Sequence, residues 1–124
     1  MKKLVTLTSA IFMFLLMFSG QSCAKEPSVL GVIEVTALPK EGQITLMLIK
    51  QDGPFPYEKD GSVFGNYERR LPPQHRGYYH EYTVKTPRAK NRGAKRIIAG
   101  GKAMTSGEYY YTDDHYNSFK KVRQ

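Results

Sequence analysis

The sequence predicts an α+β domain, with one main helix packed on a twisted antiparallel β-sheet. Two observations carry that expectation. An apolar stripe at helical spacing, Ile44, Met47 and Leu48, comes early and follows Pro39. After it come short aromatic and β-branched runs, clearest at residues 78–84 and 109–112, separated by clusters of Gly, Pro, Asn and Asp.

Taken in order, residues 25–28 read as a linker and 29–35 as a first strand, ended by Leu38-Pro39. Residues 40–51 are ambiguous by period alone, because Ile44, Leu46 and Leu48 would also suit a strand. Pro39 at the first turn and Glu41 at the positive end favour a helix, which would pack Ile44, Met47, Leu48 and Ile49 on a sheet. Asp52-Gly53-Pro54-Phe55-Pro56-Tyr57 and Asp60-Gly61 are turns. Val63-Phe64 starts a short strand that gives way at Gly65-Asn66, a pair tolerant of positive φ. A loop over 71–77 leads into a strand at 78–84, closed by Thr86-Pro87. Residues 96–99 form the next strand, turned by Gly100-Gly101. The last two strands are expected at 109–112 and 116–122, with Asp113-Asp114-His115 as the turn between them.

The first 24 residues have another purpose. Met1-Lys2-Lys3 is basic, residues 4–18 are almost wholly apolar, and residues 20–24 are small and polar. That order is a secretory signal peptide, too short in its apolar part to span a bilayer. Cleavage after Ala24 would leave one domain, residues 25–124, and a secreted protein, extracellular or periplasmic. Cleavage before Cys23 with lipid attachment is the alternative, against which Gly20-Gln21-Ser22 is a poor match. Cys23 is the single cysteine, so the domain must be held by its core rather than by a disulfide. About 100 residues suffice for one core and not for two.

The chain carries a net charge of +8. Without Lys2 and Lys3, 17 basic residues face 11 acidic ones, a net charge of +6 that favours polyanionic partners. The residues between Arg88 and Arg96 hold five of those cations. Arg92 and Arg96 flank Gly93 and could clamp one phosphate, while Arg88, Lys90 and Lys95 would steer RNA or stand in solvent. On the strand at 78–84, side chains alternate, so Tyr79, Glu81 and Thr83 share one face and His80, Tyr82 and Val84 the other. If Tyr82 and Val84 face the core, Glu81 stands on the open face, where a neighbouring arginine would keep it ionised as a general base requires. His115, between Asp114 and Tyr116 in a turn, has the chemistry of a general acid, with the adjacent carboxylate favouring its protonated form. His75 and His80 are assigned no catalytic role. Phe64-Gly65-Asn66-Tyr67-Glu68 could offer backbone N–H groups to a base edge, a carboxylate to the N1 and N2 donors of guanine, and aromatic faces for stacking. No HExxH, spaced Cys/His set or Gly-rich phosphate loop is present in the sequence, so neither a metal site nor a cofactor is expected.

These residues resemble a known family, the small secreted guanyl-specific ribonucleases of microbes that include barnase, and within it most nearly the Sa-type members. The resemblance covers residues 35–119. It rests on the segment at 52–57, Asp60-Gly61, Val63-Phe64, Asn66, Glu68, Leu71-Pro72, Gly77-Tyr78-Tyr79-His80-Glu81-Tyr82-Thr83-Val84, Thr86-Pro87, Arg92-Gly93, Arg96-Ile97-Ile98 and Asp114-His115-Tyr116. It implies the microbial ribonuclease fold and cleavage of single-stranded RNA 3′ to guanosine, without a metal, through a 2′,3′-cyclic phosphate that is then hydrolysed. It implies Glu81 as base, His115 as acid, Arg92 and Arg96 as phosphate ligands, Tyr116 on the phosphate, and Glu68 as the guanine-reading carboxylate. Phe64, Gly65, Asn66 and Tyr67 would complete the guanine loop. It admits an acidic protein inhibitor of the barstar kind as a partner, and a monomer is expected. Glu34 stands where the Sa-type members have their first disulfide cysteine, which implies a domain less stable by a few kcal/mol at most. About three extra residues fall between Gly100 and Gly107. The rival readings are a basic RNA-binding or toxin domain of the same fold that no longer cleaves, and a deoxyribonuclease. The joint presence of Glu81, Arg92, Arg96 and His115 weighs against the first, and the lack of metal ligands against the second.

Overall fold

A computed structural model describes residues 30–124. The expected leader over residues 1–24, with Cys23, lies outside the described residues. Strand β1 (Gly31–Glu34) and a single 3-10 turn (Val35–Ala37) precede helix α1 (Lys40–Lys50). Five strands follow: β2 (Ser62–Phe64), β3 (Tyr79–Thr83), β4 (Arg96–Gly100), β5 (Tyr109–Thr112) and β6 (Lys120–Arg123). They form one sheet in the order β1-β6-β5-β4-β3-β2. The α+β expectation of one helix on a sheet holds. The sheet is mixed rather than wholly antiparallel, because β1 lies parallel to β6 while the other four pairings are antiparallel. β2 to β6 follow one another and can return by loops, which dictates antiparallel neighbours. β1 and β6 come from opposite ends of the domain, so no hairpin sets their direction.

Ile49 packs inward as expected, but the rest of the helix face that is buried differs from the one its apolar spacing suggested. Gly42, Thr45, Leu46 and Ile49 are buried, whereas Ile44 and Met47 are 43% and 55% exposed. Both stripes have the i, i+3, i+4 spacing of a helix face. The buried one includes Gly42, which packs on Leu38 and Pro39, and Thr45, whose Oγ1 lies 3.0 Å from the Thr83 carbonyl oxygen. A count of apolar residues alone passes over both positions.

Both faces of the sheet carry apolar layers. On the helix side, Leu46 and Ile49 pack with Tyr82, Val84, Ile97, Ala99, Tyr109 and Val122. On the other side, Leu71, Tyr79, Ile98, Tyr110 and Phe119 form a second cluster under the loops. Strand alternation therefore puts Glu81 and Thr83 on the second face, beside Ile98 and Arg96, their register partners on β4. Tyr82 and Val84 face the helix, as the reading of Glu81 required.

β6 is shorter than expected, and residues 113–119 are loop. His115 (φ 55°) and Tyr116 (φ 71°) are both left-handed, which no strand accommodates. At the outer edge, Glu34 and Arg123 are paired in register and joined by an ion pair. A salt bridge thus ties β1 to β6 at the position where the resemblance placed a disulfide cysteine. Among the described residues no helix is long and apolar enough to cross a membrane.

Candidate active site

The site is built on β3. From that strand Glu81 and Thr83, two residues apart, project together toward the basic loop that enters β4. Arg92 donates from Nε and Nη2 to Thr83 Oγ1, at 3.0 and 2.9 Å, and from Nη2 to Glu81 Oε1 at 3.3 Å. Thr83 was given no role from sequence, although it shares the Glu81 face; its hydroxyl fixes the guanidinium that grips the carboxylate. Gly93 next to it has φ 63°, and a Cβ there would fall 2.4 Å from Thr86 Oγ1, so the turn demands glycine.

The second Glu81 oxygen, Oε2, accepts from the Tyr116 hydroxyl at 2.8 Å. With one oxygen on Arg92 and the other on Tyr116, the carboxylate is fixed in orientation. Burial, and then the hydrogen bond to Glu81, push the Tyr116 phenol up to about 12. Its ring stacks on Phe64 at 5.2 Å between centroids, and Arg96 Cζ lies 5.9 Å from the same ring.

Arg96 is 3% exposed. Nη1 donates to the Lys95 carbonyl at 2.8 Å and, at 3.4 Å, to that of Arg92. Nε has no hydrogen-bond partner, and among the described residues no carboxylate pairs with this guanidinium. A buried cation met only by carbonyls and one aromatic ring, with no carboxylate, is costly to keep. It is the strongest local signal for an anionic ligand.

His115 is exposed, with its backbone N–H bonded to the Ala94 carbonyl at 3.1 Å. Its ring stands edge-on to Tyr116, 4.9 Å between centroids, which brings it to the Glu81 cluster through that tyrosine. The neighbouring carboxylate does not serve it as the sequence suggested. Asp114 accepts instead from Ser118 Oγ at 2.5 Å, Ser118 N at 2.9 Å and Thr112 Oγ1 at 2.8 Å. Those bonds, led by the Ser118 hydroxyl, hold the Asp114 carboxyl down to about 2. The fully buried Thr112 also accepts from Tyr116 N at 3.2 Å and so sets the left-handed turn. Neither Thr112 nor Ser118 was singled out from sequence. Both follow a pattern that could have been read, hydroxyl side chains closing a turn around an aspartate.

Beside Glu81 opens a cavity of about 300 Å³. Phe64, Gly65, Asn66, Tyr67 and Glu68 line it, together with Val63, Arg70, Glu81, Tyr116 and Phe119. The whole predicted base loop therefore meets one end of the cluster formed by Glu81, Arg92 and Tyr116. Asn66 holds the loop: Nδ2 donates to the Leu71 carbonyl at 2.9 Å, Oδ1 accepts from Leu71 N at 3.1 Å, and φ is 52°. Glu68 Oε2 accepts from Arg70 Nε at 2.9 Å in an exposed ion pair, and Arg70 is a further residue the sequence reading missed. Arg92, Arg96 and His115 do not line the cavity; they stand beyond Glu81 and Tyr116. Among the described residues no three His, Cys, Asp or Glu side chains converge as metal ligands.

The chain is similar to several known proteins. Over 94 residues the chain is 53% identical to the guanyl-specific ribonuclease Sa of Kitasatospora aureofaciens, covering 76% of this chain and 95% of the relative. It is 50% identical over 88 residues to the guanyl-specific ribonuclease St of Saccharopolyspora erythraea, covering 71% and 83%. The fold matches ribonuclease Sa2 solved with mononucleotides, at a TM-score of 0.72 and 44% identity over 77% of this chain and 95% of that one. Ribonuclease Sa2 has also been solved with guanosine-2′-cyclophosphate, and that structure matches at a TM-score of 0.69 and 45% identity, covering 76% and 96%. Residues 21–123 match the model of the ribonuclease family, and the chain belongs to that family.

Proposed function

We propose that this protein is a secreted endoribonuclease that cuts single-stranded RNA 3′ to guanosine without a metal ion. The observation that carries the reading is Arg96, buried, free of any carboxylate and with Nε unpartnered, next to a carboxylate gripped by Arg92 and Tyr116. A phosphodiester bound beside Arg96 would supply the anion that its guanidinium lacks, with Arg92 already paired to Glu81 close by. The relatives named guanyl-specific, and the guanosine-2′-cyclophosphate held by Sa2, support the substrate class. The leader-like residues 1–24 support export.

In the proposed reaction guanine enters the cavity, with Glu68 accepting its N1 and N2 hydrogens and the loop aromatics against its faces. Glu81 takes the proton of the ribose 2′-OH. The 2′-oxygen attacks phosphorus while the bond to the 5′-oxygen breaks, and His115 supplies the proton that the leaving oxygen needs. Arg92, Arg96 and Tyr116 stabilise the extra negative charge on the phosphorane-like transition state, since fixed donors act without reorganisation. Water then opens the 2′,3′-cyclic phosphate with the two groups in exchanged roles, leaving a 3′-phosphate. The nucleophile belongs to the substrate and the charge is met by guanidinium groups, so the scheme uses no metal.

Cleavage of GpC, ApC and UpC by the protein from Lys25 onward, in excess EDTA, tests the proposal. Rapid turnover of GpC with a cyclic guanylate product is expected, and Glu81→Gln should lower kcat by about 10²- to 10⁴-fold. A folded protein that binds RNA but turns over none of the three would overturn catalysis and favour an inert RNA-binding domain. Turnover of GpC that stops in EDTA would overturn metal independence alone.

A further inference from the structure

At the rim of the cavity, two residues that the reaction scheme leaves unused control Tyr67. Tyr67 is 81% exposed, so burial in the core does not fix its ring. Two contacts do. A Cβ on Gly65 would fall 2.5 Å from Tyr67 Cε2 and Cζ, so the ring lies directly on the Gly65 backbone, in space that any side chain would fill. Arg76, nine residues along and outside the cavity lining, donates from Nη1 to the Tyr67 hydroxyl at 2.7 Å. The loop supporting Tyr67 is itself pinned by Asn66 to Leu71.

We propose that Arg76 and Gly65 are positioning residues that hold the Tyr67 ring in place as a ready-made wall of the base pocket. An exposed tyrosine must otherwise lose its side-chain freedom when a base arrives, and ordering it in advance removes that cost from binding. The inference rests on the guanyl-ribonuclease reading and adds to it how the pocket is preorganised. Arg76 acts through Tyr67 and touches no reacting atom, so its effect belongs in KM.

The test is a double-mutant cycle on GpC cleavage with Arg76→Met, Tyr67→Phe and the pair, at low and high salt. Each single change should raise KM by roughly two- to tenfold, the scale of one immobilised side chain. The pair should cost no more than either alone, because each removes the same hydrogen bond. Arg76→Lys, which keeps a donor, should restore part of the loss, and Gly65→Ala should raise KM by displacing the ring. A KM change for Arg76→Met that adds fully to that of Tyr67→Phe, or that vanishes at high salt, would reduce Arg76 to a general cation and overturn the proposal. Equal KM values in all variants would overturn it as well, with the guanyl reading intact. Loss of GpC turnover in the unaltered protein would instead overturn the reading beneath it.

Discussion

Thr112→Val replaces one hydroxyl by a methyl group at a site 1% exposed, with almost no change of volume. The hydroxyl donates to Asp114 Oδ1 at 2.8 Å and accepts from Tyr116 N at 3.2 Å, with a longer contact of 3.4 Å to Asp114 N. Two sound hydrogen bonds are lost, at about 1 kcal/mol each, and the unpaired Tyr116 N–H adds a desolvation cost that water offsets in part because the loop is half-exposed. A loss of about 2 kcal/mol is expected, which in a domain of this size lowers Tm by about 8–16 °C. The two left-handed residues, His115 and Tyr116, also lose the contact that holds them in an unfavourable backbone region. A displacement of about 1 Å there should lower kcat/KM for GpC by up to about 10²-fold. Thermal melts and dinucleotide kinetics, the latter well below the variant's Tm, check both numbers. Unchanged Tm would show that the hydroxyl is not the hub of the turn. Lowered Tm with unchanged kcat/KM would show that the turn's geometry does not set the site.

The remaining predictions concern pH and the sheet edge. Asp114 is held down to about 2 in the folded chain, below the ordinary carboxyl range near 4, so its contribution is present above about pH 4 and lost as pH falls toward 2. Asp114→Asn should therefore flatten acid unfolding in that window, as read by urea midpoints at several pH values. Tyr116 is pushed up to about 12, above the ordinary phenol near 10, so its contribution is full below about pH 10 and lost as pH climbs toward 12. Tyr116→Phe should remove that part of the alkaline loss, and an unchanged alkaline slope would contradict the burial assigned to the phenol. The Glu34–Arg123 pair is exposed, so Glu34→Gln should cost less than about 1 kcal/mol, and less still at high salt. A reducing agent should leave Tm unchanged, because Cys23 is the single cysteine, and a lowered value would mean that a disulfide between two chains through Cys23 adds to stability.

What could be read from sequence was what period and composition encode. Alternation along 79–83 placed Glu81 opposite the helix-facing Tyr82, and the base loop over 64–68 reached one cavity with it. The helix face was misread because two of its four buried positions are Gly42 and Thr45, whose burial comes from close backbone approach and a hydrogen bond rather than from hydrophobicity. The direction of β1 could not be read, since nothing local links it to β6. β5 ends at Thr112 as expected, but the partner of Asp114 was misread, because Asp114 next to His115 looks like an acid–base pair in one dimension. In three dimensions Ser118 and Thr112 compete for the same carboxylate and win, since they close the turn on which His115 sits.

Tyr116 links the parts of the candidate site. Its ring stacks on Phe64 of the base loop, its hydroxyl holds Glu81, and Arg96 lies against its face. One side chain thus ties the cavity to the cationic end, and Glu81 belongs to both, lining the cavity while bound to Arg92. Under the proposed function, a base seated in the loop and a phosphate held by the arginines would be spaced by this one carboxylate–tyrosine pair. Their relative geometry depends on β3, held by its pairing with β2 and β4, and on the 113–118 turn, closed by Thr112, Asp114 and Ser118. It does not depend on which face of α1 is buried or on how β1 joins the far edge of the sheet. Of the misread parts, only the 113–118 turn bears on the proposed site, and there the correction concerns the partners of Asp114 and the start of β6 rather than the presence of His115 and Tyr116.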